Sequence, residues 1–229
     1  MFHGWTRLSW TLLGNIPCSD SSSAKARPFS PLSPIPAFKK FSYDTGYSNA
    51  RASTGKVVLA FGPFLWKEEL AEPTRDMVKL AEKTLADPDK LVGLVAEALW
   101  EEFNGRGPTT GTCWYDDMDT VNKSFRAAKL PPPDKPQDIL PALQLTAIMI
   151  FTQLWKYPRP VVVLDFHAAF EVGHGLCVVT DGERVLGTGY TGEPEIGRDR
   201  IKYPNKPYRG HQEPLVRCSK YRALQPSST

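Results

Sequence analysis

The sequence predicts an α+β domain: a four-stranded antiparallel β-meander in the C-terminal half, plus an N-terminal strand, covered by a two-helix hairpin. Three observations point to that class. Residues 142–190 carry four β-prone runs with short turn signals between them. Residues 73–103 carry two consecutive amphipathic stretches at helical spacing. Lys56–Phe61 is a separate β-prone run, ended by Gly62-Pro63.

In chain order, residues 17–56 are rich in Ser, Pro and Lys, with Pro28, Pro31, Pro34 and Pro36 at short intervals. Such a composition offers little apolar surface to offset ordering entropy, so residues 1–55 are expected to be a weakly ordered leader and linker. The start, Met1–Arg7 followed by Leu8–Ile16, has a faint signal-peptide character. Ser9, Thr11, Gly14 and Asn15 interrupt its apolar run, and a plain leader is the preferred reading. Residues 56–192 are expected to form one domain, and 193–229 a basic, mostly irregular tail.

Within that domain a first helix follows Glu72-Pro73-Thr74, with Met77, Leu80, Ala81 and Leu85 on one face. Asp87-Pro88 is a cap and first-turn proline for a second helix, whose apolar face is Val92, Val95, Leu99 and Phe103. Asn104-Gly105 ends it. Residues 105–137 read as a long, mostly irregular connection, with a short helix possible over Asp119–Ala128. Ala142–Trp155 is the first strand of the meander, and its run Ile148-Met-Ile-Phe151 implies burial on both faces. Val161–Phe166, Leu176–Val179 and Arg184–Leu186 continuing toward Tyr190 are the others. Asp181-Gly182 predicts a two-residue hairpin between the last two.

Charge is segregated along the chain. Residues 1–56 carry seven Lys/Arg against two acids, residues 57–196 thirteen against twenty-one, and residues 197–229 eight against two. The balances are +5, −8 and +6, an acidic body between basic ends. An acidic body repels phosphate, which argues against a domain-wide nucleic-acid surface. No stretch reaches the roughly 18–20 apolar residues of a membrane helix. Cys18, Cys113, Cys177 and Cys218 lie far apart, with no C-x-x-C, which fits a reducing, cytoplasmic compartment better than a disulfide framework.

Candidate chemistry is sparse. Asp165 and His167 alternate on a strand and so share a face, with Glu171 and His174 expected on the following loop. Carboxylate beside imidazole is the unit of general-base catalysis, yet no nucleophile motif accompanies them. His174-x-x-Cys177 is the one close ligand pair, and Cys177 falls within an apolar strand, so neither metal nor cofactor is expected. Trp114-Tyr115-Asp116-Asp117-Met-Asp119 sets two aromatics beside three carboxylates, which suits a protein-binding surface better than any known cation loop. The tail interleaves eight basic residues with Tyr203, Tyr208 and Tyr221; it could contact single-stranded nucleic acid, but a tail solvated or docked on its own acidic domain is the plainer reading.

One pattern resembles a known type. Asp138-Ile-Leu140, Leu143-x-Leu145, a strand–turn–strand, Phe170-Glu171-x-x-His174-Gly175-Leu176-x-Val178 and Arg184-Val185 together resemble an uncharacterised bacterial domain family. That family carries a Trp-Asp-Glu-Glu-His-Gly-Leu-Gly-Val type segment before a glycine-rich strand end. The likeness spans about residues 57–192 and is sharp from Asp138 to Gly192. Here Phe170 replaces the tryptophan, Glu171 the aspartate, and Gly173 the glutamate before the histidine. Members of the family look like the small acidic partners found among bacterial toxin–immunity proteins. The resemblance therefore implies a non-catalytic binding protein that docks a basic toxin through an acidic surface. The competing expectations are a small enzyme or metal-binding domain built on Asp165, His167, Glu171 and His174, and an accessory domain with nucleic-acid-binding tails.

Overall fold

Val, Ile, Leu and Phe fill successive positions of the central strands, a composition that suits a sheet buried on both faces. The computed structural model describes residues 29–31, 34–44, 57–62, 73–103, 118–154, 157–191 and 193–194. Its strands are β1 (Phe29–Pro31), β2 (Val58–Gly62), β3 (Leu143–Phe151), β4 (Val161–Ala168), β5 (Glu171–Thr180), β6 (Val185–Tyr190) and β7 (Glu193–Pro194). Its helices are α1 (Arg75–Leu85), α2 (Pro88–Phe103) and α3 (Met118–Ala127), with 3₁₀ turns at Pro36–Lys40 and Pro136–Ala142. None of the described helices is long and apolar enough to cross a membrane.

The class is α+β, and the meander β3-β4-β5-β6 is antiparallel throughout. The sheet as a whole is mixed. All seven strands lie side by side in chain order, but β2 runs parallel to β3, with Leu59 opposite Ile148 and Phe61 opposite Ile150. A purely antiparallel arrangement fails for a physical reason: the chain between β2 and β3 contains α1, α2 and α3. A crossover of that length returns the next strand in the same direction, which a tight hairpin cannot do.

The helices begin where the side chains dictate. Thr74 Oγ1 accepts from Met77 N (3.3 Å), so the cap of α1 is Thr74 and Pro73 stands just outside it. Asp87 Oδ1 accepts from Lys90 N (3.0 Å) and opens α2. The two helices do not cover the sheet as a hairpin. α1 lies on β3 and β4, whereas α2 lies on β6 and on both 3₁₀ turns. The covering layer also includes α3, whose Phe125 stacks on Phe170 (5.3 Å) and meets Phe103 edge-on.

Residues 29–31 and 34–44, within the segment expected to be linker, are part of the domain. Ile35, Phe38 and Phe41 are buried in the main core, and Phe41 packs edge-on against Phe166 of β4 (5.1 Å). Tyr43 N donates to Leu143 O (3.0 Å), which ties the segment to the start of β3. Three apolar anchors at short spacing outweigh the polar, proline-rich composition around them. At the other end, β7 carries the sheet past residue 192.

Two cores result. Leu59, Ile148, Ile150, Val162, Leu164, Phe166, Leu176 and Val178 point to the helical side. Phe151, Leu154, Tyr157, Val161, Val163, Cys177, Val179 and Leu186 form a second cluster on the opposite face. The strand expected over Ala142–Trp155 is shorter, Leu143–Phe151: the 3₁₀ turn Pro136–Ala142 occupies its start, and beyond Phe151 Leu154 forms only an isolated bridge with Tyr157. The expected two-residue hairpin at Asp181-Gly182 is a four-residue loop, since Thr180 pairs with Val185. Asp181 Oδ1 accepts from Glu183 N and Arg184 N (3.1 Å each), an Asx-type closure that selects the longer loop.

Candidate functional site

The turn Ala169-Phe170 joins β4 to β5, and Ala168 pairs with Glu171. The next pairing is Phe166 with Leu176, so residues 172–175 stand against His167 alone. Four residues against one make a wide bulge that bends the strand and pushes its middle outward. Val172, Gly173 and His174 are exposed, and Val172, at 75 %, is the exposed large hydrophobic residue among those described. Glu171 and His174 thus belong to a strand, not to the expected loop.

The base of the bulge is tightly held. Gly175 has φ +64, and a Cβ there would lie 2.6 Å from Phe166 O and 2.7 Å from Thr191 Oγ1. Only glycine suits that conformation and that space. Thr191 Oγ1 donates to Leu176 O (3.3 Å) or to Phe166 O (3.4 Å), which clasps β4 and β5 together below the bulge.

On this base Glu171 and His174 form one unit. His174 Nδ1 lies 2.9 Å from Glu171 Oε1, with the carboxylate side chain 14 % exposed and the imidazole 66 %. An ionised carboxylate can only accept, so Nδ1 carries the proton and donates. Nε2 is then the basic nitrogen of the neutral ring. The imidazole also rests on Tyr190, with ring centroids 4.7 Å apart. This arrangement can act as a proton acceptor, or present a polar edge beside the apolar Val172.

Asp165 lies elsewhere. Strand alternation puts it on the second face with Val161 and Val163, opposite Cys177 of β5 and Ala147 of β3. It is only 6 % exposed, its Oδ1 has no hydrogen-bond partner among the described residues, and burial pushes its carboxyl up to about 7. His167 follows on the same face but is exposed, and no hydrogen bond or ion pair joins the two. The expected Asp165–His167 pair therefore does not form: shared parity sets the face, not the depth. The four candidates divide into an interior acid, a separate surface histidine and the Glu171–His174 unit.

Cys177 is buried in the second cluster, and its Sγ donates to Tyr190 O (3.2 Å). It does not converge with the exposed His174. Among the described residues no three His, Cys, Asp or Glu side chains gather to hold a metal. Trp114, Tyr115, Asp116 and Asp117 lie outside the described residues; Asp119 belongs to α3 by its backbone, and its side chain lies outside them.

Sequence reasoning missed Val172, Tyr190 and Thr191 as parts of the site. The Gly173-x-Gly175 spacing was the available signal, since a glycine within a strand marks a bulge or a close approach. It also missed Glu102, which is buried at the end of α2 and accepts from Thr188 Oγ1 of β6 at 2.9 Å. No family model matches the chain, and no curated protein and no solved structure matches it.

Proposed function

We propose that this chain is a non-catalytic binding protein of immunity type, which docks a basic partner in a reducing cytoplasm. The observation that supports it most directly is the bulge Val172–His174. An exposed apolar side chain projects from a rigid base beside a carboxylate–imidazole pair, the combination of anchor and polar rim that binding sites use. The −8 balance of residues 57–196 favours a basic partner and speeds its encounter. Two of those acids, Glu102 and Asp165, are buried; among the described residues Asp76, Asp87, Asp89, Glu97, Asp134 and Glu183 are exposed and, with Glu171, carry the attraction. The resemblance around Phe170–Val178 points the same way. Affinity capture from native cells with wild type and Val172→Asp tests this reading. Wild type should retain a basic protein that Val172→Asp releases, with the fold of both unchanged by circular dichroism. Capture of no partner by wild type, or equal capture by both, overturns it.

A second reading rests on the 2.9 Å contact itself: Glu171 orients His174, and His174 serves as a general base. Ester hydrolysis by wild type that His174→Ala abolishes and Glu171→Gln weakens, with the fold of both unchanged by circular dichroism, would establish that reading in place of binding.

A further inference from the structure

A neutral histidine that donates from one ring nitrogen has spent its only N–H, and the other nitrogen can then only accept. At the bulge of β5 the proton lies on Nδ1 of His174 and goes to Glu171 Oε1 (2.9 Å), which leaves Nε2 as an acceptor. Glu171 Oε2 makes no hydrogen bond among the described residues, and no described lysine or arginine pairs with this carboxylate. Both remaining polar atoms therefore call for donors, and the carboxylate adds a negative charge. An anion is repelled there, and a neutral amide leaves the charge unanswered.

The ring decides the shape of the donor. One face of the imidazole rests on Tyr190, with centroids 4.7 Å apart and planes tilted by 40°. The ring still keeps 66 % of its surface in solvent, and among the described residues no second ring covers it. A flat, open aromatic face thus stands beside a carboxylate. Gly175 and the Thr191 clasp hold the base of the bulge, so binding has little backbone left to order.

We propose that Glu171 and His174 form a subsite for one arginine side chain of the partner, whose guanidinium donates to Glu171 Oε2 and stacks on the open face of His174. A guanidinium is planar, permanently charged and weakly hydrated, so it can pair with a carboxylate and lie on a ring at once. An ammonium is a compact, strongly hydrated point charge that gains little from the ring. Because an exposed ion pair alone contributes little, the stacking separates arginine from lysine. The subsite rests on the binding role proposed for the bulge: Val172 supplies the apolar anchor, and Glu171 with His174 reads one cation beside it.

The probe is the blocked tripeptide Gly-Arg-Gly, set beside the same peptide with lysine or with citrulline, the neutral isostere of arginine. NMR of the full chain follows the Gly173 amide and the His174 ring protons. Wild type should bind the arginine peptide about threefold or more tighter than the lysine peptide, and about tenfold tighter than the citrulline one. Glu171→Gln keeps an acceptor for Nδ1–H but no charge, and should weaken arginine binding by about fivefold or more. His174→Ala keeps the charge without the ring, and should bind arginine and lysine peptides alike. Circular dichroism checks the fold of both variants. Equal binding of the arginine and citrulline peptides, binding of neither, or Glu171→Gln behaving as wild type overturns the proposal. A partner that wild type captures, Val172→Asp releases and Glu171→Gln holds unchanged overturns the arginine subsite and leaves the binding role standing. The expected peptide pattern with no captured partner supports the subsite and overturns the binding role alone.

Discussion

Gly175 and Asp165 show how single residues set the character of the two faces. At Gly175 a side chain meets both an unfavourable φ and a backbone oxygen 2.6 Å away, which cannot move without breaking the β4–β5 pairing. Gly175→Ala should cost about 2 kcal/mol or more in urea denaturation. It should also loosen the His174–Glu171 contact; an unchanged denaturation midpoint would mean that the bulge relaxes freely. At Asp165 the sign of the pH effect follows from burial. Burial raises the carboxyl from 3.8 to about 7. The folded state then holds a proton that the unfolded state has already lost. Stability is greatest below about pH 4 and declines as pH rises through 7, by on the order of 4 kcal/mol. Denaturant titrations at pH 4, 6 and 8 measure it. A flat profile would show that Asp165 is not desolvated.

The segment around Pro36–Lys40 is where composition misled and three side chains decided. Phe41 is fully buried against Phe166, so Phe41→Ala should cost about 3–5 kcal/mol. A linker residue would show no effect, which makes equilibrium unfolding of this variant a direct comparison of the two readings. Elements with strong local signals were legible: Asp87-Pro88 opened a helix, and Val161–Phe166 and Leu176–Val179 formed strands. Features that depend on distant partners were not. Gly173-His174-Gly175 read locally as a loop, and only pairing with β4 makes it a bulge within β5. The Asp181 loop was legible as a turn, but not in length, because the closing bonds come from Asp181 and Thr180 side chains. The candidate site was half legible: Glu171 and His174 by residue type, Val172, Tyr190 and Thr191 not at all.

Across the sheet, β3, β4 and β5 are paired on both sides and buried on both faces, whereas β1 and β7 are edge strands of three and two residues. Amide exchange should therefore be slowest in Ile148–Ile150, Val162–Leu164 and Val178–Val179, opening only with global unfolding, and fast in β1 and β7. Slow exchange confined to the helices would contradict a sheet-centred core.

The parallel pairing of β2 with β3 has a further consequence for how the chain is made. Leu59 and Phe61 leave the ribosome long before Ile148 and Ile150, the residues they must lie against, have been synthesised. At roughly 5–20 residues per second, a delay of about ninety residues lasts roughly 4–18 seconds. During that interval β2 has only the three-residue β1 to pair with, and its β3-facing edge stands open. A chain halted before β3 would therefore lack the strand on which Leu59 and Phe61 come to lie.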